Sequence, residues 1–296
     1  MLKRILAQCA VVAISFLALS QITFAQTEID SLIVIEPQGR LYTDAELDLL
    51  LGPIALYPDP LLASLLPSAT CPAEIVLAAR FLNNSADPAL IDDQSWSDSV
   101  KAVAHYPEVL RWLDENLDWT TAVGNAFLNQ PEAVMDTIQR LRAVAQSLGN
   151  LQTTPEQLIE TVDDAIDILP AYPDVVYVPT YDPTVVYRRP QNASTGNYFR
   201  YVSRPSGAWL NRDWDWRNRR IFIWNKDSFR PPSWWSQPRA DRLKVTHNLK
   251  QWCPPSHNGI YQSKFWAACA QAHRSGNGAG PHAPTHSQSA PAPRAR

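Results

Sequence analysis

Between Leu50 and Pro72 the chain reads LLGPIALYPDPLLASLLPSATCP, and no other stretch narrows the possible folds as much. Each proline withholds a backbone donor and drives the residue before it out of the helical region. Gly52-Pro53, Pro58-Asp59-Pro60 and Pro67 therefore cut the apolar run, and the spacing predicts two or three short helices folded sharply on one another. With leucine on almost every side, such segments belong in the interior, with the later helices packed around them.

Helix signals surround this knot. Thr43 and Glu46 make a capping box ahead of Leu47, Leu50 and Leu51, which share a face. Asp59, with Pro60 behind it, is expected to cap a helix carrying Leu61, Leu62, Leu65 and Leu66, and Pro72 and Glu74 open the next. Further starts fall at Ser97, Pro107, Asp118 and Pro131. In the last of these, Val134, Ile138, Leu141, Ala145 and Leu148 alternate gaps of four and three, the seam of a helix lying along a neighbour, until Gly149 stops it. Residues 43–149 are thus a block of short helices.

From Thr154 the pattern changes. Thr154 to Gln157 is suited to one more capped helical turn, after which residues 159–187 are β-rich, with strands expected at Ala165 to Leu169, Asp174 to Val178 and Thr184 to Tyr187. Ser31 to Pro37 is a further β-branched run. The fold class is α+β, with an α+β domain over 26–190 and a basic, Trp-rich region over 191–274. Within that region Ala208 to Asn225 has the pattern of a hairpin around the polar corner Arg217-Asn218-Arg219, Pro231 onward is irregular, and 275–296 is a disordered tail rich in Ser, Ala, Pro and Gly.

The first 25 residues have the form of a cleaved secretory signal: Lys3 and Arg4, a short apolar segment from Cys9 to Leu19, then Thr23-Phe24-Ala25. An uncleaved anchor is the alternative, and no membrane span is expected after cleavage. A periplasmic or secreted location follows. The charge is unevenly divided, with 10 Lys+Arg against 25 Asp+Glu in residues 1–190 and 16 against 4 in residues 191–296. Either the basic third docks onto the acidic part, or it meets an anionic envelope partner.

Three segments taken together, GPIALYPDPLLASLLPSATCP, the block from Leu117-Asp118-Trp119-Thr120 to Gln139-Arg140-Leu141-Arg142, and VVYVPTYDPTVVY, resemble an exported bacterial family catalogued as domain of unknown function 3300. The similarity covers roughly Leu41 to Tyr187. It implies export and carries over no activity, cofactor or catalytic residue. The Trp-rich third departs from the Gly- or Asn/Arg-rich continuations associated with that family.

Candidate chemistry is sparse. Asp59, Glu74, Glu108, Asp118, Glu132 and Glu156 stand at expected helix starts, where capping accounts for them, and Asp182 suits a turn. His105 falls at a helix end, and Cys71 at a helix start, where burial is the simpler role than an activated thiol. Cys253, His257, Cys269 and His273 have a spacing that zinc permits, but an oxidising compartment favours a Cys253–Cys269 disulfide or free thiols, so neither metal nor cofactor is expected. Trp214, Trp216, Arg217, Arg219, Arg220, Trp234 and Trp235 combine stacking faces with guanidinium groups, a pairing used to bind polymers. The competing reading makes the tryptophans a small core and docks the arginines on the acidic helices. The expected function is a non-enzymatic binding or scaffold role for an envelope protein or anionic polymer, with no dedicated nucleic acid; the alternative is a periplasmic hydrolase acting on cell-wall material.

Overall fold

The segment DPLLASLLPSA carries apolar residues on every side, interrupted by Asp59, Ser64 and Ser68, and a helix of that kind is stable when covered on all sides. In the computed structural model every residue of this helix is buried, and the rest of the molecule is laid around it. The structure describes residues 39–84, 87–188, 198–224, 230–231, 234–246, 249–255, 264–267 and 269. The elements below belong to one compact unit, Leu41–Arg296; of the other, Met1–Arg40, only residues 39 and 40 are described.

Helix α1 spans Asp44–Leu51 and opens on the expected capping box, Glu46 N donating to Thr43 Oγ1 at 3.3 Å and Thr43 N to Glu46 Oε2 at 2.8 Å. The central helix α2 is Asp59–Ala69 and α3 is Pro72–Asn83, the two meeting at 110°. Pro67 does not cut α2 as expected. It sits inside the last turn, where only one ladder donor is lost. The helix ends two residues later, with Thr70 Oγ1 donating to Pro67 O at 2.7 Å. Helices α4 (Asp98–Ala104), α5 (Pro107–Glu115), α6 (Leu117–Asn129) and α7 (Pro131–Ser147) complete the block, three of the seven opening on a proline at the first position. Gly149 ends α7 with φ +74°, a left-handed conformation that glycine adopts without steric cost. Gly124 of α6 faces the Ala69 carbonyl so closely that a Cβ there would collide with backbone, which fixes how near α6 lies to α2.

Strands β1 (Gln157–Val162) and β2 (Ala165–Pro170) form an antiparallel hairpin whose two corner residues, Asp163 and Asp164, both have positive φ, 51° and 64°. The helical turn expected at Thr154 to Gln157 is therefore replaced by the approach to β1. Thr154 bonds Glu156 N at 3.2 Å, and Glu156 starts no helix. Strand β3 (Val175–Thr180) pairs antiparallel with β4 (Arg200–Pro205). Thr184 to Tyr187, expected as a strand, is instead part of a single helical turn, α8 (Pro183–Val186), because the Asp182 carboxylate accepts from Thr184 N at 2.8 Å and Pro183 supplies a helical first position.

The expected hairpin is present as β5 (Arg212–Asp215) and β6 (Arg220–Ile223), and β7 (Lys250–Gln251) adds a third antiparallel strand in the order β5-β6-β7. Beyond Pro231 the chain is less irregular than expected, since α9 covers Arg239–Thr246. Strand β5 packs on α2, so the Trp-rich third covers one side of the central helix. Helices with small, locally formed sheets make this an α+β fold. Among the described residues no single helix is long and apolar enough to cross a membrane. The signal segment, the Ser31 to Pro37 run and the 275–296 tail lie outside the described residues.

Candidate functional site

Arg142 is the fourth residue after Ile138 in the buried seam of α7, and its side chain is 0% exposed. An isolated guanidinium at that depth would be prohibitively costly, so its surroundings have to supply acceptors. They do. Nε donates to Ala55 O at 2.8 Å, one terminal nitrogen donates to Asp59 Oδ1 and Ile166 O at 2.7 Å each, and the other to Tyr57 O at 3.1 Å. The face of the guanidinium lies 4.9 Å from the centre of the Trp216 ring. Trp216 then closes the circuit, its indole N–H donating to Asp59 Oδ2 at 3.0 Å. One arginine thus ties the α1–α2 corner and β2 to α7, and one carboxylate ties that knot to the Trp-rich third.

This arrangement corrects the role expected for Asp59. It stands at the first position of α2 but makes no capping bond there, both its oxygens being taken by Arg142 and Trp216. Glu74 reaches across to Ser97 N at 2.8 Å, at the start of α4. Glu108 is held by Arg204 of β4, Oε2 accepting at 2.7 Å. Asp118 and Glu132 keep their expected places in the first turns of α6 and α7, although neither helix has a side-chain cap. Asp213, beside Trp214 in β5, accepts the Trp234 indole N–H at 2.9 Å and Trp214 N at 3.0 Å. Burial, with the Asp59 carboxylate second, pushes its carboxyl above the usual range.

The tryptophans proposed from sequence are interior residues. Trp214, Trp216, Trp234 and Trp235 are at most 6% exposed, and Trp214 stacks on Trp216 with ring centres 4.2 Å apart. Their faces are packed rather than presented. The arginines divide: Arg217 pairs with Asp163 at 3.2 Å, Arg219 with Asp136 at 3.0 Å and Arg220 with the buried Asp215 at 2.9 Å. Arg217 and Arg219 keep 67% and 46% of their side chains exposed. The basic third therefore does dock on the acidic part through Arg217 and Arg219, whereas the Arg220–Asp215 pair lies within the third itself, and Arg242 repeats the docking with Glu160 and Asp167 at 3.0 and 3.1 Å.

Cys253 and Cys269 are joined by a disulfide, which uses both thiols that a zinc site would need; His257 and His273 lie outside the described residues. Trp252, next to Cys253, and Trp266, three residues before Cys269, sit 5.5 and 5.7 Å from Phe127 of α6. Cys71 carries a free thiol that burial raises in pKa, the reverse of an activated nucleophile. His105 caps the C-terminus of α4 as expected, bonded to Asp92 at 3.2 Å and stacked on Trp209 at 3.8 Å.

A tyrosine latch completes the centre. Tyr181 and Tyr187, on either side of α8, both donate to Gly52 O at 2.9 Å, and Leu56 N donates to Tyr181 Oη at 3.1 Å. The corner preceding α2 is thereby held from two directions. The paired tyrosines in TYDPTVVY are legible in the sequence; their shared acceptor is not.

The raised pKa of Asp213 yields a prediction of definite sign. Its proton is bound more tightly in the folded chain than in the unfolded one, where aspartate titrates near ~3.9. Stability contributed by this group is complete below that value and is lost as pH rises through the folded pKa. In urea titrations from pH 4 to pH 7, wild type should lose stability relative to Asp213→Asn as pH increases. A constant difference across the range would contradict this.

Among known proteins, the chain is 34% identical over 184 residues to "Uncharacterized protein YacH" of Escherichia coli (strain K12), the alignment covering 49% of this chain. The chain spans 30% of that relative's length. No solved structure matches. The family match runs over residues 43–275, well past Tyr187, so the Trp-rich third that closes over Asp59 lies within the family region and is not a departure from it. With that match covering the helical block, the small sheets and the Trp-rich cover alike, the chain belongs to the family described as "Protein of unknown function (DUF3300)".

Proposed function

We propose that the chain is an exported cell-envelope protein with a non-enzymatic binding or scaffold role, taking a partner protein or an anionic envelope polymer. The observation that carries this reading is the commitment of Asp59, the best-buried carboxylate of the helical block, to Arg142 and Trp216 through both its oxygens. A hydrolase would need such a group free to exchange a proton with substrate. Here it holds two halves of the fold together. The signal-like first 25 residues supply the support for export.

The exposed basic edge of the β5–β6 hairpin, Arg217 and Arg219, is the part of the Trp/Arg region that reaches solvent. Exposed ion pairs of this kind are worth about 0–1 kcal/mol, so their carboxylate partners are readily exchanged for those of a ligand. Recovery of envelope partners by the full-length chain should fall at least about fivefold in Arg217→Glu/Arg219→Glu, roughly 1 kcal/mol in binding. Equal recovery by the two proteins would remove the edge from the proposal. Release of soluble fragments from purified cell wall by wild type, lost in Asp213→Asn, would favour the hydrolase instead.

A further inference from the structure

Trp252 and Trp266 reach the same ring on α6 but are anchored differently. Trp252 directly follows β7, and its backbone N–H donates to Ile221 O of β6 at 2.8 Å, so its position is set by the sheet. Trp266 ends a single helical turn, Lys264–Trp266. Its indole N–H donates to Leu128 O at 3.1 Å, and its ring meets Phe127 edge-on with its centre 5.6 Å from that of Trp252. Packed on Phe127 from two directions, the indoles help keep it 0% exposed near the end of α6.

Ring contacts and one neutral hydrogen bond stabilise a docked turn only modestly. A covalent link between residues 16 apart in sequence adds to them by restricting the undocked state. That link runs from Cys253, beside the sheet-anchored Trp252, to Cys269, three residues past Trp266. The other ties of the Trp-rich third, Trp216 to Asp59 and Arg242 to Glu160 and Asp167, use residues ahead of Cys253. Breaking the bridge therefore frees the Trp266 turn and leaves the central charge knot in place.

Cys253 is half-buried and Cys269 only 4% exposed, so a reductant approaches the Cys253 sulfur. A thiolate of a dithiol bonds to Cys253 Sγ, and the S–S bond breaks with its electron pair on Cys269 Sγ, which takes a proton. The second thiolate of the reductant then attacks the reductant sulfur of the mixed disulfide and expels Cys253, which takes the other proton. The dithiol departs as its own disulfide, having given up two electrons and two protons.

We propose that the Cys253–Cys269 bridge is a redox-sensitive fastening. Oxidised, it holds Trp266 over Phe127; reduced by a dithiol, it releases the turn and uncovers that ring and the Leu128 carbonyl in a molecule that otherwise stays folded. The fastening shares no residue with the Arg217–Arg219 edge, so failure of the edge in partner recovery leaves it standing, and the reverse also holds.

The test is chymotrypsin digestion of the full chain before and after treatment with dithiothreitol, all fragments being fully reduced before mass spectrometry. Cleavage after Phe265 or Trp266 is expected to be at least about tenfold faster in the reduced protein, while cleavage after Phe127 and Trp216 keeps its rate. Removal of the reductant and reoxidation should restore the slow rate. Cys253→Ser/Cys269→Ser should be cut at the fast rate with or without dithiothreitol. Equal rates in the two redox states would overturn the proposal, as would a fast rate that persists after reoxidation. So would an equal acceleration after Phe127 and Trp216, which would make the bridge a requirement of the whole fold. Should the double variant fail to fold, the wild-type comparison decides.

Discussion

Arg142→Ala is expected to destabilise the protein by about 3–5 kcal/mol, because it leaves a buried carboxylate without its counter-charge and takes a donor from three carbonyl groups together. Those acceptors belong to Ala55, Tyr57 and Ile166, and the carboxylate to Asp59. The same figure is not the net worth of the pair, since much of it is the penalty for what remains behind. A double-mutant cycle separates the two. Asp59→Ala/Arg142→Ala should cost less than the sum of the single changes, with a coupling of about 1–3 kcal/mol in urea unfolding. Coupling near zero would mean that the guanidinium acts through the carbonyls alone.

A chain ending at residue 190 is expected to lose cooperative unfolding altogether. Residues 191–296 look separable by composition, but β5 covers a side of the fully buried α2, and Trp216 supplies the second partner of Asp59. Removing that cover exposes one side of α2 and opens the charge centre to water. The expected signature is a broad thermal transition with strong binding of a hydrophobic dye. Trp216→Phe keeps an aromatic ring beside Arg142 while removing the N–H and the bulk of the second ring, so it should cost about 1–3 kcal/mol and stay cooperative. A sharp transition in the truncated chain would show instead that the helical block folds by itself.

Much of the helical block was legible from local chemistry. Thr43 with Glu46, the prolines at 60, 72, 107 and 131, and the stop at Gly149 are short-range signals, and the helices begin and end where those signals place them. Local signals were misleading where two of them competed. Val185 and Val186 favour a strand, but Asp182-Pro183 ahead of them caps a helical turn, and the cap prevails. The candidate site was less legible because its contacts span long stretches of chain: Asp59 and Trp216 are 157 residues apart, Arg142 and Asp59 83. One clue was available. Arg142 follows Ile138 by four and precedes Ala145 by three, so it lies within the apolar seam, and a charge there demands a buried partner. Which carboxylate answers it depends on tertiary geometry that spacing does not encode.

The reach of the Trp216–Asp59 bond also has a consequence for assembly over time. A chain made from its N-terminus presents α2 and its carboxylate long before the indole that completes them exists, so the innermost helix is the last to be sealed. Closure across so many residues is slow, and until it occurs the leucines of α2 remain open to other chains. Holding the polypeptide unfolded until its far end is available would therefore protect the most aggregation-prone part of the molecule.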